Sequence, residues 1–353
     1  MRGLELKAIA LGAMVALAAV PAWAQQRFDG VTLRVATYGG GWDKVVQQGA
    51  SAQFQALGGR VEYVIGTPGN HLAKLIAAHG GPPPFDVFDV ADSSLSDTVE
   101  GGFLQKLDLA DIPNVKDTMQ SAYPNLAITA WTTQEGIVYD ADRFKVLGIP
   151  APQHYRDLLN PKLRGLVEPI DCGTPGAVQF IVAAAKDDGG SETDLDAGFK
   201  LLHDLKALKY ERVGSEAMQN LKTGDIYAVT MHAGYAIQGL RDNMPLGFTH
   251  PVVGSQKGII KEGLLGIANG TPNLKAAEFF INAYLSEGAQ YQLAVQRGIV
   301  PVNANARRRL GEDPLLQRTF LLKQEDVANM MRVDWHKLDI ATFCDKWNRA
   351  IAR

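Results

Sequence analysis

The chain has 353 residues, of which 46% are hydrophobic, and its 38 acidic residues slightly outnumber its 35 basic residues, for a net charge of −3. The hydrophobic content supports a well-developed core, and the length suffices for two domains. The charge gives no sign of the basic face that nucleic-acid binding needs, so no nucleic-acid partner is expected.

The first 24 residues have the pattern of a secretory signal peptide. Arg2 and Lys7 precede a short apolar run, which is followed by an Ala-x-Ala ending at Ala24. The run is shorter than the roughly 20 residues of a membrane span. We therefore expect cleavage after Ala24 and a mature chain that begins at Gln25 in the periplasm.

Residues 33–46 predict a strand, a glycine turn and a helix, with Asp43 as the helix N-cap. A strand, turn and helix open a parallel α/β sheet, whose ligands bind beyond the carboxyl ends of the strands. This makes Tyr38, Gly40 and Trp42 candidate binding residues. The alternative is a purely structural turn, with Trp42 in the core.

Two further units of this kind follow along the chain. The first is predicted to end in a loop in which Asn70 caps a helix, and the second ends in Asp92, Ser93 and Ser94. The loops of parallel strands share one edge of the sheet. Asp92, Ser93 and Ser94 are therefore candidate ligands for a solute, at a helix N-terminus that suits an anionic group, although plain capping would also explain them.

The second half of the chain supplies the remaining candidate binding residues. A long β-type segment, 128–139, is interrupted at Glu135-Gly136 and could cross between two lobes. Loops, strand ends and a short buried strand contribute the following candidates: Thr174, Gly176, His232, Tyr235, Lys261 and Glu262. Capping for Thr174 and Gly176, core packing for His232 and simple exposure for Lys261 remain as alternatives.

Cysteine and basic residues give few functional signals. Cys172 and Cys344 lie far apart in sequence, and two free thiols are favoured over a disulfide, although an oxidising compartment permits one. No Cys or His cluster has metal-ligand spacing, so neither a metal nor another cofactor is expected. The run 307–309, three arginines, predicts a solvated helix face.

Four segments carry a resemblance to a known family. They are the opening strand with its glycine turn, the pattern Pro-x-x-Tyr-x-Asp-Leu-x-x-Pro-x-x-x-Gly at 152–165, the helix pair from 276 to 301, and Trp347-Asn348-Arg349 near the C-terminus. Together they resemble the periplasmic solute-binding proteins of ATP-driven importers, in the group that includes the spermidine/putrescine binders. Signal peptide, element order and segments agree.

The resemblance implies an α/β, type II-like fold of two lobes, with a cleft between them and crossing strands that join them. Lobe one would comprise 27–130 plus 264–304, and lobe two 131–263 plus 305–353. It also implies hinge closure on a small-molecule solute, delivery to an ABC transporter permease in the inner membrane, a monomeric protein and no enzymatic activity. A secreted hydrolase would need a nucleophile elbow or a metal set, and the sequence has neither.

The predicted cleft departs from the polyamine-binding pattern of the family. Acidic side chains are expected where Thr174, Ala177 and Gly263 stand, and His232 replaces a tryptophan. An ammonium group without a carboxylate partner is costly to bury. The sequence therefore predicts an amino-acid-like or anionic organic solute. A true polyamine binder, and a ligand-loaded partner of a chemoreceptor or sensor, remain alternatives.

Overall fold

The computed structural model describes residues 27–78, 80–119, 121–210 and 214–352. The predicted signal peptide and its cleavage site lie outside these ranges. Among the helices in the described ranges, none is both long and apolar enough to cross a membrane.

The strands β1 to β10 are, in chain order, Thr32–Thr37, Arg60–Ile65, Val87–Ala91, Ala127–Asp140, Val167–Glu168, Ala228–His232, Leu246–Thr249, Val252–Val253, Gln256–Lys257 and Ile259–Ile267. Eight of them form one mixed sheet in the order β2-β1-β3-β10-β4-β6-β5, with β7 also paired to β4. β1 is parallel to β2 and β3, as three successive β-α units predict. β8 and β9 form a small separate pair.

The helices α1 to α15 are Trp42–Val46, Ala52–Ala56, Pro68–Ala77, Leu95–Glu100, Ala141–Leu147, Pro175–Asp187, Asp196–Asp204, Gly214–Thr223, Ala233–Arg241, Leu274–Tyr284, Glu287–Arg297, Ala304–Leu310, Pro314–Thr319, Gln324–Ala328 and Phe343–Ile351. A π-helical stretch, Gln47–Ser51, joins α1 to α2. Short 3₁₀ segments account for 92–94 and for most of 155–163.

The two longest strands, β4 and β10, run antiparallel through the middle of the sheet. They pair with each other from Ile259 opposite Glu135 to Gly266 opposite Ala127. From Glu135 onwards β4 also pairs with β6 and β7, and the other edge of β10 pairs with β3 from Gly263 to Ile267. The predicted long strand is thus confirmed, but it is not interrupted at Gly136, where a side chain would collide with the Thr249 carbonyl oxygen.

The buried apolar residues form two large cores on different parts of the sheet. One contains Leu33, Phe54 and Phe280, and the other contains Phe180 and Trp347. Helices that follow β1 and β10 cover the first core, whereas α6, α7 and α15 cover the second. Two separate cores agree with a two-lobe architecture, and the exact lobe limits stay a prediction.

Two helix starts differ from the sequence prediction. α1 begins at Trp42, before Asp43, because Gly41 adopts a positive φ of 93° and ends the turn. Asp43 instead accepts a hydrogen bond from the Gly41 N–H at 3.2 Å. α3 is capped by Thr67, whose side chain accepts from the Asn70 N–H, while Asn70 Oδ1 accepts from the Thr67 N–H. In a reciprocal capping box either polar residue fits the sequence pattern.

The prediction of two free thiols is wrong. Cys172 and Cys344 form a disulfide, with their Cα atoms 5.4 Å apart. The pairing arises because α15 packs against α7, and α7 packs against α6. This stacking brings the C-terminal helix back to the loop that precedes α6, a long-range approach that sequence spacing does not reveal.

The prediction of a solvated arginine face holds for only part of the run 307–309. Arg308 and Arg309 are exposed, but Arg307 is buried. Its guanidinium donates to the carbonyl oxygens of Pro301 and Val302 and to Gln324 Oε1. Arg307 therefore binds the chain that enters α12 and is a structural residue.

Candidate functional site

An ion pair between a partly buried lysine and a buried glutamate occupies the centre of the two crossing strands. Lys261 on β10 places its Nζ 3.6 Å from Oε1 of Glu135 on β4, and the Thr133 hydroxyl donates to the same oxygen at 2.7 Å. Lys261 is directly opposite Thr133 in the register, so the three side chains share one face of the sheet. Burial alone would raise the pKa of Glu135, but Lys261 and Thr133 help to hold it below its usual value. The carboxylate is therefore ionised at neutral pH.

His232 adjoins this pair at the end of β6, directly opposite Glu135 in the register. Its Nδ1 accepts a hydrogen bond from the Gly234 N–H at 3.2 Å and so caps α9. Burial lowers the pKa of His232 to about 4, and the charges of Lys261 and Arg297 act in the same direction. A neutral ring whose Nδ1 accepts carries its proton on Nε2. The imidazole can therefore donate to a solute oxygen.

Arg297, the last residue of α11, lies at the same place and was missed by the sequence analysis. A Cβ built on Gly41 would lie 3.3 Å from its Nη1. Its Nε is buried and has no hydrogen-bond partner among the residues that the structure describes. The only sequence signal is a basic residue before the glycine that ends a helix, a pattern that the helix dipole already explains.

The N-terminus of α6 approaches the ion pair from another side. Thr174 Oγ1 accepts from the Ala177 N–H at 3.3 Å and donates to the Asp171 carbonyl oxygen at 3.2 Å. Its side chain therefore caps the helix, as the simpler interpretation predicted. Gly176 borders the site through its backbone, because a Cβ there would lie 3.7 Å from Glu135 Oε2.

The loop after β3 brings a further carboxylate close to Lys261. Asp92 accepts hydrogen bonds from the N–H groups of Ser93 at 2.8 Å and Glu262 at 3.2 Å. Burial raises the pKa of Asp92 to about 6, although these N–H groups and the Lys261 charge oppose the rise. The Ser94 hydroxyl donates to the Ala91 carbonyl oxygen within the loop. Asp92 is thus the residue of this loop whose carboxylate interacts with the charge of Lys261.

Three aromatic rings form a packed wall beside these polar groups. The ring centroids of Tyr38, Trp42 and Trp131 are 5.1 to 6.0 Å apart with edge-to-face geometry. Trp42 and Trp131 are buried, and Gly263 leaves the space that the Trp131 indole fills. Trp42 therefore belongs to the core, as the alternative interpretation predicted, and Tyr38 covers it. Burial and the charges of Asp89 and Asp92 raise the pKa of Tyr38, so its hydroxyl stays protonated.

Two predicted site residues lie away from this group. Glu262 projects from the opposite face of β10 and forms an ion pair with Arg332 at 3.3 Å. There it lines a cavity of about 240 Å³ together with Asp92 and the segment 332–336. Tyr235 contacts His232 with 4.6 Å between ring centroids in a tilted geometry, but its hydroxyl is directed towards Gly214. Within the described ranges, neither side chain forms a hydrogen bond or ion pair with Lys261 or Glu135.

The site has the groups to bind a polar solute. Within the described ranges, no group of three or more His, Cys, Asp or Glu residues could hold a metal ion. The polar groups are instead a mixture of charged and neutral donors with an aromatic wall, as in pockets that orient a small organic molecule.

The sequence matches one family model, described as bacterial extracellular solute-binding protein, over residues 26–318. This family consists of solute-binding transport proteins and is not an enzyme family. A comparison with curated proteins gave no match.

Solved structures similar to this chain include several binding proteins of ABC transporters. An ABC transporter of Clostridium perfringens aligns with a TM-score of 0.73 at 21% identity, covering 90% of this chain and 99% of its own. The Atu4243 GABA receptor aligns with a TM-score of 0.72 at 19% identity, covering 91% and 97%. A protein of Listeria monocytogenes, described by the name spermidine/putrescine ABC transporter, aligns with a TM-score of 0.68 at 18% identity, covering 91% and 98%. At these identities the similarity shows the two-lobe fold alone.

Proposed function

Because this chain belongs to the bacterial extracellular solute-binding protein family, we propose that it captures a small anionic or amino-acid-like solute and delivers it to an ABC transporter permease. The solute binds in the cleft between a lobe of 27–130 plus 264–304 and a lobe of 131–263 plus 305–353. The mature protein acts as a monomer in the periplasm. No chemistry is performed on the solute.

We infer the chemical class of the solute from the positions of Lys261 and His232 around Glu135. Lys261 supplies a positive charge, and the neutral His232 ring supplies an Nε2–H donor, at one point of the crossing strands. Both groups favour an oxygen anion over an ammonium group. A carboxylate or phosphonate is the simplest solute group that satisfies both donors.

A polyamine is a poorer match for the same surroundings. Glu135 already accepts from Thr133 and pairs with Lys261, and Asp92 already accepts two backbone N–H bonds. An ammonium group placed between them would also meet the like charge of Lys261, and like charges disfavour each other. One amine facing Asp92 is accommodated, whereas an extended diamine leaves its second ammonium unpaired.

The test is a thermal-shift screen of amino acids, dicarboxylates, phosphonates and polyamines, followed by calorimetric titration of those that stabilise the protein. Lys261→Ala and His232→Ala should each weaken the best solute about tenfold or more, equivalent to ~1.4 kcal/mol. Lys200→Ala is the matched control, because Lys200 forms an exposed ion pair with Asp204 away from the cleft. Tight spermidine or putrescine binding that is indifferent to both cleft substitutions would contradict the proposal.

Export is tested separately. Protein recovered from the periplasm should begin with Gln-Gln-Arg-Phe at Gln25, as N-terminal sequencing will read. An intact Met1 on exported protein would contradict the cleavage.

A further inference from the structure

Arg297 has an N–H donor that makes no hydrogen bond to the rest of the described chain. A guanidinium has five N–H donors in a planar fork, and the buried Nε of Arg297 donates to none of the residues described. No carboxylate in that part of the chain forms an ion pair with it, whereas Lys261 is paired with Glu135. A buried donor of a charged group that lacks a partner is costly. A charged residue with such an unpaired buried donor is a candidate for binding a molecule other than the protein chain.

The surroundings of Arg297 place it next to the proposed solute. Gly298, the next residue, touches the backbone of Gly234, and Gly234 donates its N–H to His232. The positive charge of Arg297 is close enough to His232 to act on its titration. On its other side, Nη1 adjoins Gly41 in the turn after β1. The guanidinium therefore adjoins the first β-α turn, and its charge acts on the nearby His232 ring.

We propose that Arg297 and His232 jointly bind one carboxylate group of the solute. Arg297 donates from its fork to the carboxylate oxygens, and His232 donates from Nε2. The proposal rests on the proposed function and assigns the residue that selects a carboxylate. Arginine suits this role because its fork matches the planar, bidentate geometry of the group.

The same arrangement links solute binding to closure. Arg297 lies in 264–304, the stretch proposed for lobe one, and His232 lies in 131–263, proposed for lobe two, although Ala233 after it packs in the first core with Leu293 of α11. A carboxylate held by both residues is bonded to both proposed lobes. Such a solute favours the closed arrangement by its extra affinity for it.

The space around the guanidinium depends on Gly41. A side chain at this position would crowd Nη1, whereas the neighbouring Gly40 has nothing within 4 Å of a built Cβ. Both glycines have positive φ, of 93° and 64°, so alanine strains either position. Gly41→Ala should therefore weaken carboxylate binding more than Gly40→Ala does.

The experiment titrates the full mature chain with α- and ω-amino acids of two to six carbons and with diamines of matching length. Arg297→Gln should weaken the best amino acid at least thirtyfold, and Arg297→Lys by less, because lysine keeps the charge and loses the fork. Arg156→Gln is the control, since Arg156 pairs with Asp187 at the C-terminal end of α6, the end opposite to the one that borders the site. The affinity of this control variant for the amino acid should stay within twofold of the wild-type affinity.

A second readout separates binding from folding. Without solute, Arg297→Gln should melt at or above the wild-type temperature, because it removes an unsatisfied donor; a clearly lower melting temperature would mark a structural arginine and overturn the inference. Unchanged affinity in Arg297→Gln, while Lys261→Ala still weakens the same amino acid, overturns this inference alone. A wild-type protein that binds no carboxylate-containing solute overturns both this inference and the proposed solute class.

Discussion

The backbone of Gly234 lies directly against the backbone of Gly298. A Cβ built on Gly298 would come 2.5 Å from the Gly234 Cα, and a Cβ built on Gly234 would come 2.6 Å from the Gly298 carbonyl oxygen. The contact joins the start of α9 to the end of α11. A side chain at either position would collide with the other backbone, and the contact holds His232 and Arg297 on neighbouring backbone.

This contact predicts a large effect of Gly298→Ala. Gly298 has a φ of 66°, and the added methyl group would also collide with backbone atoms that cannot rotate away. The control is Gly148→Ala, which has a φ of 64° and nothing within 4 Å of the built Cβ. Gly298→Ala should lose roughly 2 kcal/mol more than the control in urea unfolding, as overpacked sites do. Equal losses would show that the contact is loose.

The disulfide should stabilise the protein mainly by restricting the conformations of the unfolded chain. Cys172 and Cys344 are separated by 172 residues, a loop for which the chain-entropy relation gives about 5 kcal/mol. Denaturant unfolding with and without a reducing agent measures the difference. Alkylation of the denatured, unreduced protein followed by mass spectrometry is the direct check. Two alkylated cysteines in material from the periplasm would contradict the pairing.

Asp89 should make stability depend on pH. Its carboxyl group is buried, accepts from the Thr37 hydroxyl at 2.5 Å, and has its pKa raised to about 7 by burial. In the unfolded chain the pKa is near 4. Between about pH 4 and pH 7 the folded state therefore holds a proton that the unfolded state lacks. The free energy of unfolding falls as pH rises through this window, by up to ~1.4 kcal/mol per pH unit.

Asp89→Asn removes this titration. Relative to wild type, the variant should gain stability steadily from pH 5 to about pH 7 and level off above that, as measured by urea unfolding at each pH. The comparison with wild type at each pH matters, because the lowered pKa values of buried His232 and His250 act in the opposite direction. Asp242→Asn, at an exposed aspartate, is the control. A constant difference between Asp89→Asn and wild type would exclude an ionisable Asp89 as the cause.

Arg307 should be structural although its sequence context suggests a surface residue. Its loss leaves the Pro301 and Val302 carbonyl oxygens without a buried donor. Arg307→Ala should therefore cost roughly 2 kcal/mol or more in urea unfolding. Arg308→Ala, one residue on and exposed, should be within about 0.5 kcal/mol of wild type. Similar results for the two variants would contradict the buried role.

Local patterns were enough to predict the first three strands and the polar loops that follow them. The alternation in β1 and the polar loop at Asp92 are short-range features, and the order of the β-α units fixes which loops share an edge. These features predicted that Tyr38 and Asp92 would lie in one region, whereas His232 and Lys261 were proposed as a strand end and a hinge position of the resembled family. Alternation along β10 puts Glu262 on the opposite face from Lys261, where it pairs with Arg332, but the predicted strand began after Glu262, so both residues were predicted as solute ligands.

The missed features all depend on contacts between distant segments. Arg297 matters because of the residues around it, Gly41 and His232, which are far away in sequence. The disulfide depends on how α15 packs on α7. Gly263, which stands where the resemblance leads one to expect an aspartate, is explained by the indole of Trp131 across the strand pair.

The central claim, capture of a solute between two lobes, is tested most directly by solution X-ray scattering of the mature protein with and without its best-binding solute. We expect the radius of gyration to decrease at saturating solute, because a solute that contacts both lobes stabilises the closed form. A diamine of the same length that does not bind should leave the radius unchanged. An unchanged radius of gyration, at a solute concentration that calorimetry shows to be saturating, would contradict the account.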